Sequence, residues 1–429
     1  MTAALRSVTH PHIRVAWLAL LALALLAPVA ATALVGAGEP ATVWTELGVI
    51  TGTQAAGAMV AALLFAARHR SITSAFGIDG ALGLHRGLGT VGLLLVLAHL
   101  LLVLVDDPAN IALLHPTDAP PRAAAGVGSG LSLILLAGLS VARRRTGMRY
   151  EVWRWGHLVL AVVASTLAVL HITWVDRLIN DPLWLAWFGV LLVTAIGVLV
   201  TRWAWRPARA ARWMVDAVES LGGGMSRISM TPLDGDGMTY RAGQFAWMRL
   251  SRWRTDHDHP FTMASSPLDN YVEFVVAHRG DWTEGPLRDV RPGQLLWLDG
   301  PHGDMTLDRA VGGGIVMAAA GAGMAPMLSM LRTLAHQRDR RPLWLFLPPS
   351  HPFDPDLAAV EHLLDLRVCP VLSRPITAAT LAPHLSHPAV VSRATHFLCG
   401  PPQMVADVEA ALLPLGARPR AIHTERFDH

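Results

Sequence analysis

The sequence predicts a membrane all-α six-helix bundle, followed by a cytosolic antiparallel β-barrel and an α/β domain. Its 429 residues leave room for two or three domains. Mean hydropathy is +0.39, yet long uncharged runs occur only up to residue 205, and the rest resembles a water-soluble protein. Short strand-like runs come next, and then a glycine-rich turn after an apolar strand. We therefore predict domains at 1–205, 206–310 and 311–429.

Six segments are apolar enough to cross a bilayer, and each is close to the length of about 17–25 residues that a span requires. The predicted spans are 14–35, 44–67, 83–105, 125–142, 153–175 and 183–203. Residues 1–31 also fit a signal peptide, with basic residues before an apolar stretch and small residues after it. Either alternative leaves the direction of the second span unchanged.

Arginines set the orientation of these spans, because cytoplasmic loops carry an excess of basic residues. The loops after the second, fourth and sixth spans contain Arg68, Arg70, Arg143, Arg144, Arg145, Arg149, Arg202, Arg206, Arg209 and Arg212. The opposite loops are mainly acidic, and their basic residues are Arg122 and Arg177. We therefore expect a multi-pass protein of the cell inner membrane with both termini in the cytoplasm.

Four histidines form two pairs of equal spacing, His85/His99 and His157/His171, in the third and fifth spans. Fourteen residues of α-helix make nearly four turns and rise about 21 Å, within a hydrocarbon core of about 30 Å. Because both helices enter from the same side, His85 should face His157 and His99 should face His171. A single intramembrane histidine is usually structural, but this repeated spacing favours axial ligation of two stacked haems.

The composition excludes several classes of protein. There is no lysine, which excludes Schiff-base and Walker-type lysine chemistry. The arginines lie at the ends of apolar segments, which indicates membrane topology and not a nucleic-acid surface. The two cysteines, Cys369 and Cys399, are thirty residues apart and form no disulfide framework, so a cytoplasmic location of this half is acceptable.

After a linker at Arg206–Trp213, the middle third contains short strand-like runs separated by turns, which predict a small antiparallel barrel. Predicted strands are Arg227–Thr231, Gln244–Leu250, Val272–Val276 and Gln294–Leu298. Two motifs lie within it, His259-Pro260-Phe261-Thr262 and His278-Arg279-Gly280-Asp281-Trp282-Thr283.

The last third alternates strands and helices. Ile315–Ala320 predicts a buried parallel strand, Gly321–Pro326 (GAGMAP) a glycine turn, and Met327–His336 a helix. Two further units follow, with strands at Leu343–Leu347 and Thr395–Leu398 and helices at Leu357–Leu366 and Met404–Leu413. The strand at Thr395–Leu398 is followed directly by the motif Cys399-Gly400-Pro401-Pro402. Glycines at a strand-to-helix turn let backbone approach a pyrophosphate, so we expect a nucleotide at the carboxyl ends of these strands.

Taken in order, these motifs resemble the ferric reductase/NADPH oxidase superfamily over nearly the whole chain. The resemblance implies a two-haem membrane domain fused to a ferredoxin-reductase-type FAD-binding barrel and an NAD(P)H-binding domain. It implies that the four histidines are haem-iron ligands. By the same analogy, Phe261 lies against the isoalloxazine, Thr262 hydrogen bonds near its reactive nitrogen, and His259 helps to hold the phosphate or ribose portion. Backbone amides of the loop from His278 to Thr283 bind the FAD pyrophosphate.

The resemblance also assigns the remaining site residues. FAD contacts implied by it are His259, Pro260, Phe261, Thr262, Ser265, His278, Gly280, Trp282, Thr283 and Phe427. Nicotinamide-nucleotide contacts are Gly321, Gly323, Met324, Ala325, Pro326, Ser373, Arg374, Cys399, Gly400 and Pro401. Thr262, Cys399 and Phe427 would act at the reacting atoms, and the Ser-Arg pair favours NADPH over NADH.

Three departures from the family pattern matter. Asp428 and His429 extend beyond the terminal aromatic residue, and the turn at Pro348–His351 lacks an arginine for a 2′-phosphate. Oxygen-reducing members tend to have a basic residue on the second span and a histidine one turn beyond the outer ligand. Here the second span offers Thr51, Thr53 and Gln54, and Val103 occupies the latter position.

The function expected is transfer of electrons from cytosolic NAD(P)H through FAD and two b-type haems to an extracytoplasmic acceptor. The acceptor is left open among ferric chelates, oxygen, quinone and a periplasmic protein, and the oligomeric state is also open. Expected partners are membrane lipid, the nicotinamide nucleotide and that acceptor, without nucleic acid. The alternatives are a histidine-based proton or metal transporter with a redox-sensing domain, and a non-catalytic interaction protein.

Overall fold

The computed structural model divides the chain into two compact units, one at His10–Thr201 and the other containing Arg202–His429. The residues that it describes are 11–35, 42–67, 69–115, 119–148, 150–201, 204, 208, 210–235, 237–252, 259–372, 375–385 and 388–426. Each unit is described by itself.

The first unit is a bundle of long helices, and six of them are long and apolar enough to cross a membrane, over 19 to 32 residues each. The helices are α1 (Pro11–Val35), α2 (Val43–Ala66), α3 (Arg70–Asp106), α4 (Pro121–Thr146), α5 (Tyr150–Thr173) and α6 (Pro182–Val200). The predicted six-helix membrane domain is confirmed. Helix α2 packs along α3, and α4 packs along α5.

Helix α3 begins at Arg70, well before the predicted start at residue 83. The prediction missed this first segment because Gly77 interrupts it with φ +69°, a conformation that glycine adopts without steric cost. Before that kink, Ile72 and Phe76 are buried in a cluster with Phe65 of α2. The rings of Phe65 and Phe76 meet edge to face with centroids 5.5 Å apart. Packing on α2 therefore extends the helix beyond its apolar span.

Helix α4 is also longer than predicted, and both of its ends have identifiable signals. Pro121 occupies the first turn, where the missing N–H costs nothing. Gly147 ends the helix in the left-handed conformation, with φ +64°. The arginines at 143–145, which the prediction left in a loop, belong to the last turns of this helix.

The second unit begins with a six-stranded antiparallel sheet in the order β4-β3-β6-β1-β2-β5. Its strands are β1 (Ala211–Gly222), β2 (Met225–Pro232), β3 (Phe245–Arg249), β4 (His259–Thr262), β5 (Val272–Ala277) and β6 (Leu295–His302). Met263, directly after β4, pairs with Phe274 of β5, and this bridge joins the two edge strands into a barrel. The predicted barrel is thus present.

Strand β1 corrects the predicted linker at 206–213. The strand starts at Ala211 and directs Trp213 and Val215 into the barrel, while Arg212 and Asp216 face outward. The strand is difficult to recognise in the sequence, because charged residues on its outer face interrupt the apolar run that marks a strand.

A five-stranded parallel sheet follows, in the order β11-β10-β7-β8-β9. Its strands are β7 (Ile315–Ala319), β8 (Leu343–Phe346), β9 (Leu366–Cys369), β10 (Thr395–Gly400) and β11 (Ile422–Arg426). The main helices between them are α7 (Met324–His336), α8 (Asp354–Glu361) and α9 (Pro402–Leu412). Barrel residues such as Ala264 and Val275 share one hydrophobic core with Leu328 and Leu331 of α7, so the two sheets form a single packed unit.

Candidate cofactor-binding sites

The structure brings the four intramembrane histidines together in the two predicted pairs. The ring centroids of His85 on α3 and His157 on α5 are 6.1 Å apart, with an interplanar angle of 58°. Those of His99 and His171 are 6.2 Å apart, at 73°. Each helix carries its two histidines nearly four turns apart, so α3 and α5 bring a histidine pair together at two levels.

These separations fit two imidazoles that share one iron. A metal–imidazole nitrogen bond is about 2 Å long, so two such bonds on opposite sides place the ring centres roughly 6 Å apart. A porphyrin supplies the other four nitrogens itself, and two protein ligands are then sufficient. Among the residues that the structure describes, no group of three or more His, Cys, Asp or Glu side chains is arranged to hold a metal ion.

The imidazole Nδ1 atoms of three histidines contact backbone carbonyl oxygens. His85 Nδ1 lies 2.9 Å from the Ala62 oxygen, and His99 Nδ1 lies 2.8 Å from the Gly48 oxygen. His171 Nδ1 lies 2.7 Å from the oxygen of residue 122. A carbonyl only accepts, so each Nδ1 must carry and donate the proton.

The fourth imidazole has a hydroxyl in place of a carbonyl. His157 Nδ1 lies 3.4 Å from the Ser140 hydroxyl, which itself donates to the Leu136 carbonyl at 2.9 Å. The hydroxyl is therefore left to accept from Nδ1. In all four histidines this arrangement leaves Nε2 as the nitrogen with a lone pair, and hydrogen bonding of the other nitrogen is how proteins orient metal-ligating histidines.

In the second unit, strand β4 contains the HPFT motif and meets the loop that follows β5. Trp282 of that loop stacks on His259, with ring centroids 4.1 Å apart and planes at 17°. Phe261 lies beside the same indole, at 5.8 Å and 26°. Residues of both flavin motifs thus converge at one end of the barrel.

Two buried polar atoms at this place have no hydrogen-bond partner among the described residues. They are the hydroxyl of Thr262, which is 3% exposed, and the indole nitrogen of Trp282, which is 6% exposed. Buried polar groups are normally satisfied, so an orphaned pair beside aromatic rings fits a bound polar ring system such as flavin.

The side chains of His278 and Thr283 form hydrogen bonds within and beside their own loop. Both ring nitrogens of His278 are engaged, Nδ1 with the Thr283 carbonyl at 2.7 Å and Nε2 with the Ser226 hydroxyl at 2.8 Å. The Thr283 hydroxyl accepts from the amide of Arg279 at 2.8 Å. These side chains hold the loop in shape, and Gly280 completes its turn with φ +94°.

Ser265 is held by protein hydrogen bonds. The residue is fully buried, and its hydroxyl contacts the Tyr240 hydroxyl at 2.8 Å and accepts from the Glu273 amide at 3.0 Å. Its carbonyl accepts from Ser329 of α7 at 2.7 Å. Burial raises the pKa of Tyr240, so that phenol stays protonated in this bond. Ser265 therefore joins the barrel to α7, and its contact with FAD stays a prediction.

The two glycine-containing loops of the α/β domain meet at the carboxyl ends of β7 and β10. These strands are neighbours in the sheet. After β7 the chain adds β8 and β9 on one side, and it then crosses to add β10 and β11 on the other side. The gap between β7 and β10 is therefore the topological switch point, where ligands bind in such sheets. A Cβ on Gly323 would lie 2.3 Å from the carbonyl oxygen of Cys399, so only glycine permits the contact. Gly321 has φ +58° and opens the turn that leads into α7.

Side chains of this loop point into the protein. Met324, Ala325 and Pro326 are buried, which leaves backbone groups at the start of α7 to meet a nucleotide. Cys399 is fully buried, and burial together with the nearby charge of Glu425 raises the pKa of its thiol well above the ordinary value. The thiol is therefore held in its neutral form.

Comparison with known proteins agrees with these two units. Residues 51–168 match the family model for a ferric reductase like transmembrane component, and residues 216–303 match an FAD-binding domain. A probable respiratory burst oxidase homolog protein I of Arabidopsis thaliana is 30% identical over 117 residues, which is 22% of this chain and 12% of that protein. The two matches lie in the membrane unit and in the reductase unit, in this order, and they agree with the resemblance to the ferric reductase/NADPH oxidase superfamily.

Other proteins similar to this chain include reductase components. The propane 2-monooxygenase reductase component of Rhodococcus jostii is 26% identical over 241 residues, or 50% of this chain and 62% of that protein. This chain spans about three fifths of the length of such curated relatives. A solved flavohemoglobin from Malassezia yamatoensis is 16% identical, with 94% and 99% of the two chains covered and a TM-score of 0.48.

The two matched models support a ferric-reductase-like membrane domain and an FAD-binding reductase domain in this chain. Three residues that the resemblance assigned to its sites, Ser373, Arg374 and Phe427, lie outside the described residues. Gly52, Gly126 and Ser140 have no signal in the sequence alone. Gly52 and Gly126 each lie one helical turn after a residue whose carbonyl contacts His99 or His171, and Ser140 contacts His157 itself, relations that only the pairing of helices reveals.

Proposed function

We propose that the protein carries electrons from cytoplasmic NAD(P)H, through FAD and two b-type haems, to ferric iron or oxygen on the other side of the membrane. The observation that carries this proposal is the pair of facing imidazoles at two levels of the bundle, each with Nδ1 engaged and Nε2 free to bind iron. When bound, flavin converts a two-electron hydride into single electrons, and haem carries them one at a time.

The residues of the reductase half would bind and orient the donor and the flavin. Backbone groups at Gly321–Gly323 would hold the pyrophosphate of the nicotinamide nucleotide at the start of α7. The buried Thr262 hydroxyl would hydrogen bond to the flavin ring edge, and Phe261 would pack against the ring. The neutral thiol of Cys399 would border the nicotinamide as a small apolar group.

The direction of transfer is proposed from the distribution of arginine. Arginines lie at or just after the C-terminal ends of α2, α4 and α6, so by the positive-inside rule these ends would lie in the cytoplasm. The reductase half follows α6 and would lie there too. His85 and His157 would then form the cytoplasmic-side pair, and His99 and His171 the outer pair.

Ferric iron is favoured over oxygen as the acceptor by the polar residues of α2. The hydroxyls of Thr51 and Thr53 donate to helix carbonyls at 2.9 and 2.7 Å, and the Gln54 amide donates to the Leu25 carbonyl at 2.8 Å. None of these three is basic, and each donates to a helix carbonyl, of α2 itself for the threonines and of α1 for Gln54. Reduction of oxygen to superoxide remains the alternative.

Haem content of a ligand variant tests the proposal. His99→Ala should remove about half of the low-spin b-type haem from purified protein, measured by reduced-minus-oxidised spectra and pyridine haemochrome. His115→Ala, in the loop after α3, is the matched control and should keep all of it. Full haem retention in His99→Ala would contradict the assignment of this site, and wild-type protein without haem would contradict the function.

A further inference from the structure

The two histidine pairs differ in how their imidazoles reach a hydrogen-bond acceptor. At the His99–His171 pair, both acceptors are backbone carbonyls within helices, those of residues 48 and 122. In an α-helix such a carbonyl already accepts from the amide four residues later, so the side chain at that later position lies next to the oxygen. A second donor needs space there.

Glycine provides that space at both places. Gly52 lies four residues after Gly48, and a Cβ on it would be 2.9 Å from His99 Nδ1. Gly126 lies four residues after Arg122, and a Cβ on it would be 2.8 Å from His171 Nδ1. Real Cβ atoms do not approach this closely. An alanine at either position would therefore displace the imidazole from its carbonyl.

The His85–His157 pair lacks this arrangement. His85 reaches the Ala62 carbonyl although the residue four later is Ala66, which already carries a Cβ. His157 has only the long contact of 3.4 Å to the Ser140 hydroxyl. The two pairs thus differ in the strength of the hydrogen bonds that support their ligands.

We propose that Gly52 and Gly126 are positioning residues: because they lack a Cβ, the imidazoles of His99 and His171 can lie on backbone carbonyls, and this contact sets the redox potential of the group bound between them. This inference rests on the proposed haem ligation. Donation from Nδ1 makes an imidazole more basic at Nε2, and a more basic ligand stabilises ferric over ferrous iron. Loss of the carbonyl contact therefore raises the midpoint potential at this pair alone.

Redox titration of purified protein, followed in the haem absorption bands, tests the inference without an activity assay. In Gly52→Ala and Gly126→Ala, one of the two titration components should shift to higher potential, while the other stays at the wild-type value. The matched controls are Gly138→Ala on α4 and Gly197→Ala on α6, where the new Cβ would meet nothing within 4 Å. Both controls should superimpose on wild type.

A third variant keeps the inference open to refutation if the glycine variants bind haem poorly. Ser140→Ala should shift the component that belongs to the His85–His157 pair, identified as the one retained in His99→Ala. Unshifted curves in both glycine variants, or shifts of the same component by Ser140→Ala and Gly126→Ala, would overturn it. Wild-type protein without two haem components would instead overturn the proposed function.

Discussion

The Thr262 hydroxyl, at the end of β4, is buried without a protein partner among the described residues. An unsatisfied buried hydroxyl costs about 1–3 kcal/mol, and a bound flavin would remove that cost. The sequence motif suggested this residue, and the geometry explains why a hydroxyl is tolerated there.

Replacement of Thr262 tests that role. Thr262→Val keeps the shape of the side chain and removes the donor, so we expect roughly tenfold weaker FAD binding, in line with a buried hydrogen bond of about 1.5 kcal/mol. Fluorescence titration of FAD into stripped protein measures it. Thr231→Val, on β2 with a hydroxyl bonded to Asp216, is the control and should bind FAD normally. Equal affinities would exclude the contact.

Two histidines of the parallel sheet are buried in their neutral forms. Burial lowers the pKa of His396 to about 4, and burial with the charges of Arg309 and His396 lowers that of His423 to about 4. In the unfolded chain both titrate near 6.5. The stability they confer is therefore complete above pH about 6.5 and is lost as the pH falls towards 4.

The reductase half should accordingly unfold more easily in mild acid. Between pH 7 and 4.5 we expect its free energy of unfolding to fall by roughly 2 kcal/mol for each of these histidines, because the unfolded chain takes up the protons. Release of FAD fluorescence during thermal scans reports the unfolding. His423→Gln should give a shallower pH dependence than wild type, and an unchanged slope would show that this pair is not responsible.

At the scale of elements, a buried charge network joins the barrel to the helices of the α/β domain. Arg332 of α7 contacts Glu273 of β5 and Asp356 of α8, both at 2.8 Å. Arg227 of β2 contacts the same two carboxylates. Glu273 and Asp356 are almost fully buried, so each carboxylate depends on these guanidinium groups for its charge compensation.

Removal of one arginine from the network should be costly. Arg332→Met leaves two buried carboxylates undercompensated, and breaking such an arrangement costs about 3–5 kcal/mol. The thermal midpoint of FAD release should fall by several degrees. Arg241→Met, which removes an ion pair whose two side chains are 65% and 61% exposed, is the control and should change it little. Equal midpoints would show that the network does not stabilise the junction.

At the scale of the whole molecule, the proposal requires electrons to leave on the side opposite the reductase domain. In sealed vesicles with that domain outside, external NADPH should reduce a ferric chelate trapped within, and faster than it generates superoxide there. Omission of NADPH, and the His99→Ala variant, provide the controls. Faster superoxide formation would favour the oxygen-reducing alternative, and reduction only of external chelate would exclude transfer across the membrane.

The sequence by itself determined the six apolar segments, the fourteen-residue spacing of the histidines and the order of the flavin and nucleotide motifs. These features are local: helical periodicity, hydropathy and glycine at a turn act over a few residues. The same local reasoning missed β1, whose outer face is charged, and the helical segment of α3 before Gly77.

Only the tertiary structure decided which side chains are free for ligands. His278 and Ser265 stand in cofactor motifs, yet Ser226, Tyr240 and α7 occupy their polar atoms. Helices α2 and α4 supply the carbonyls that His99 and His171 contact. The same helices supply Gly52 and Gly126, which leave room for those contacts, and both glycines are distant in sequence from the histidines. Hydrogen bonds between distant segments depend on how those segments pack, and no periodicity along a single segment records that choice.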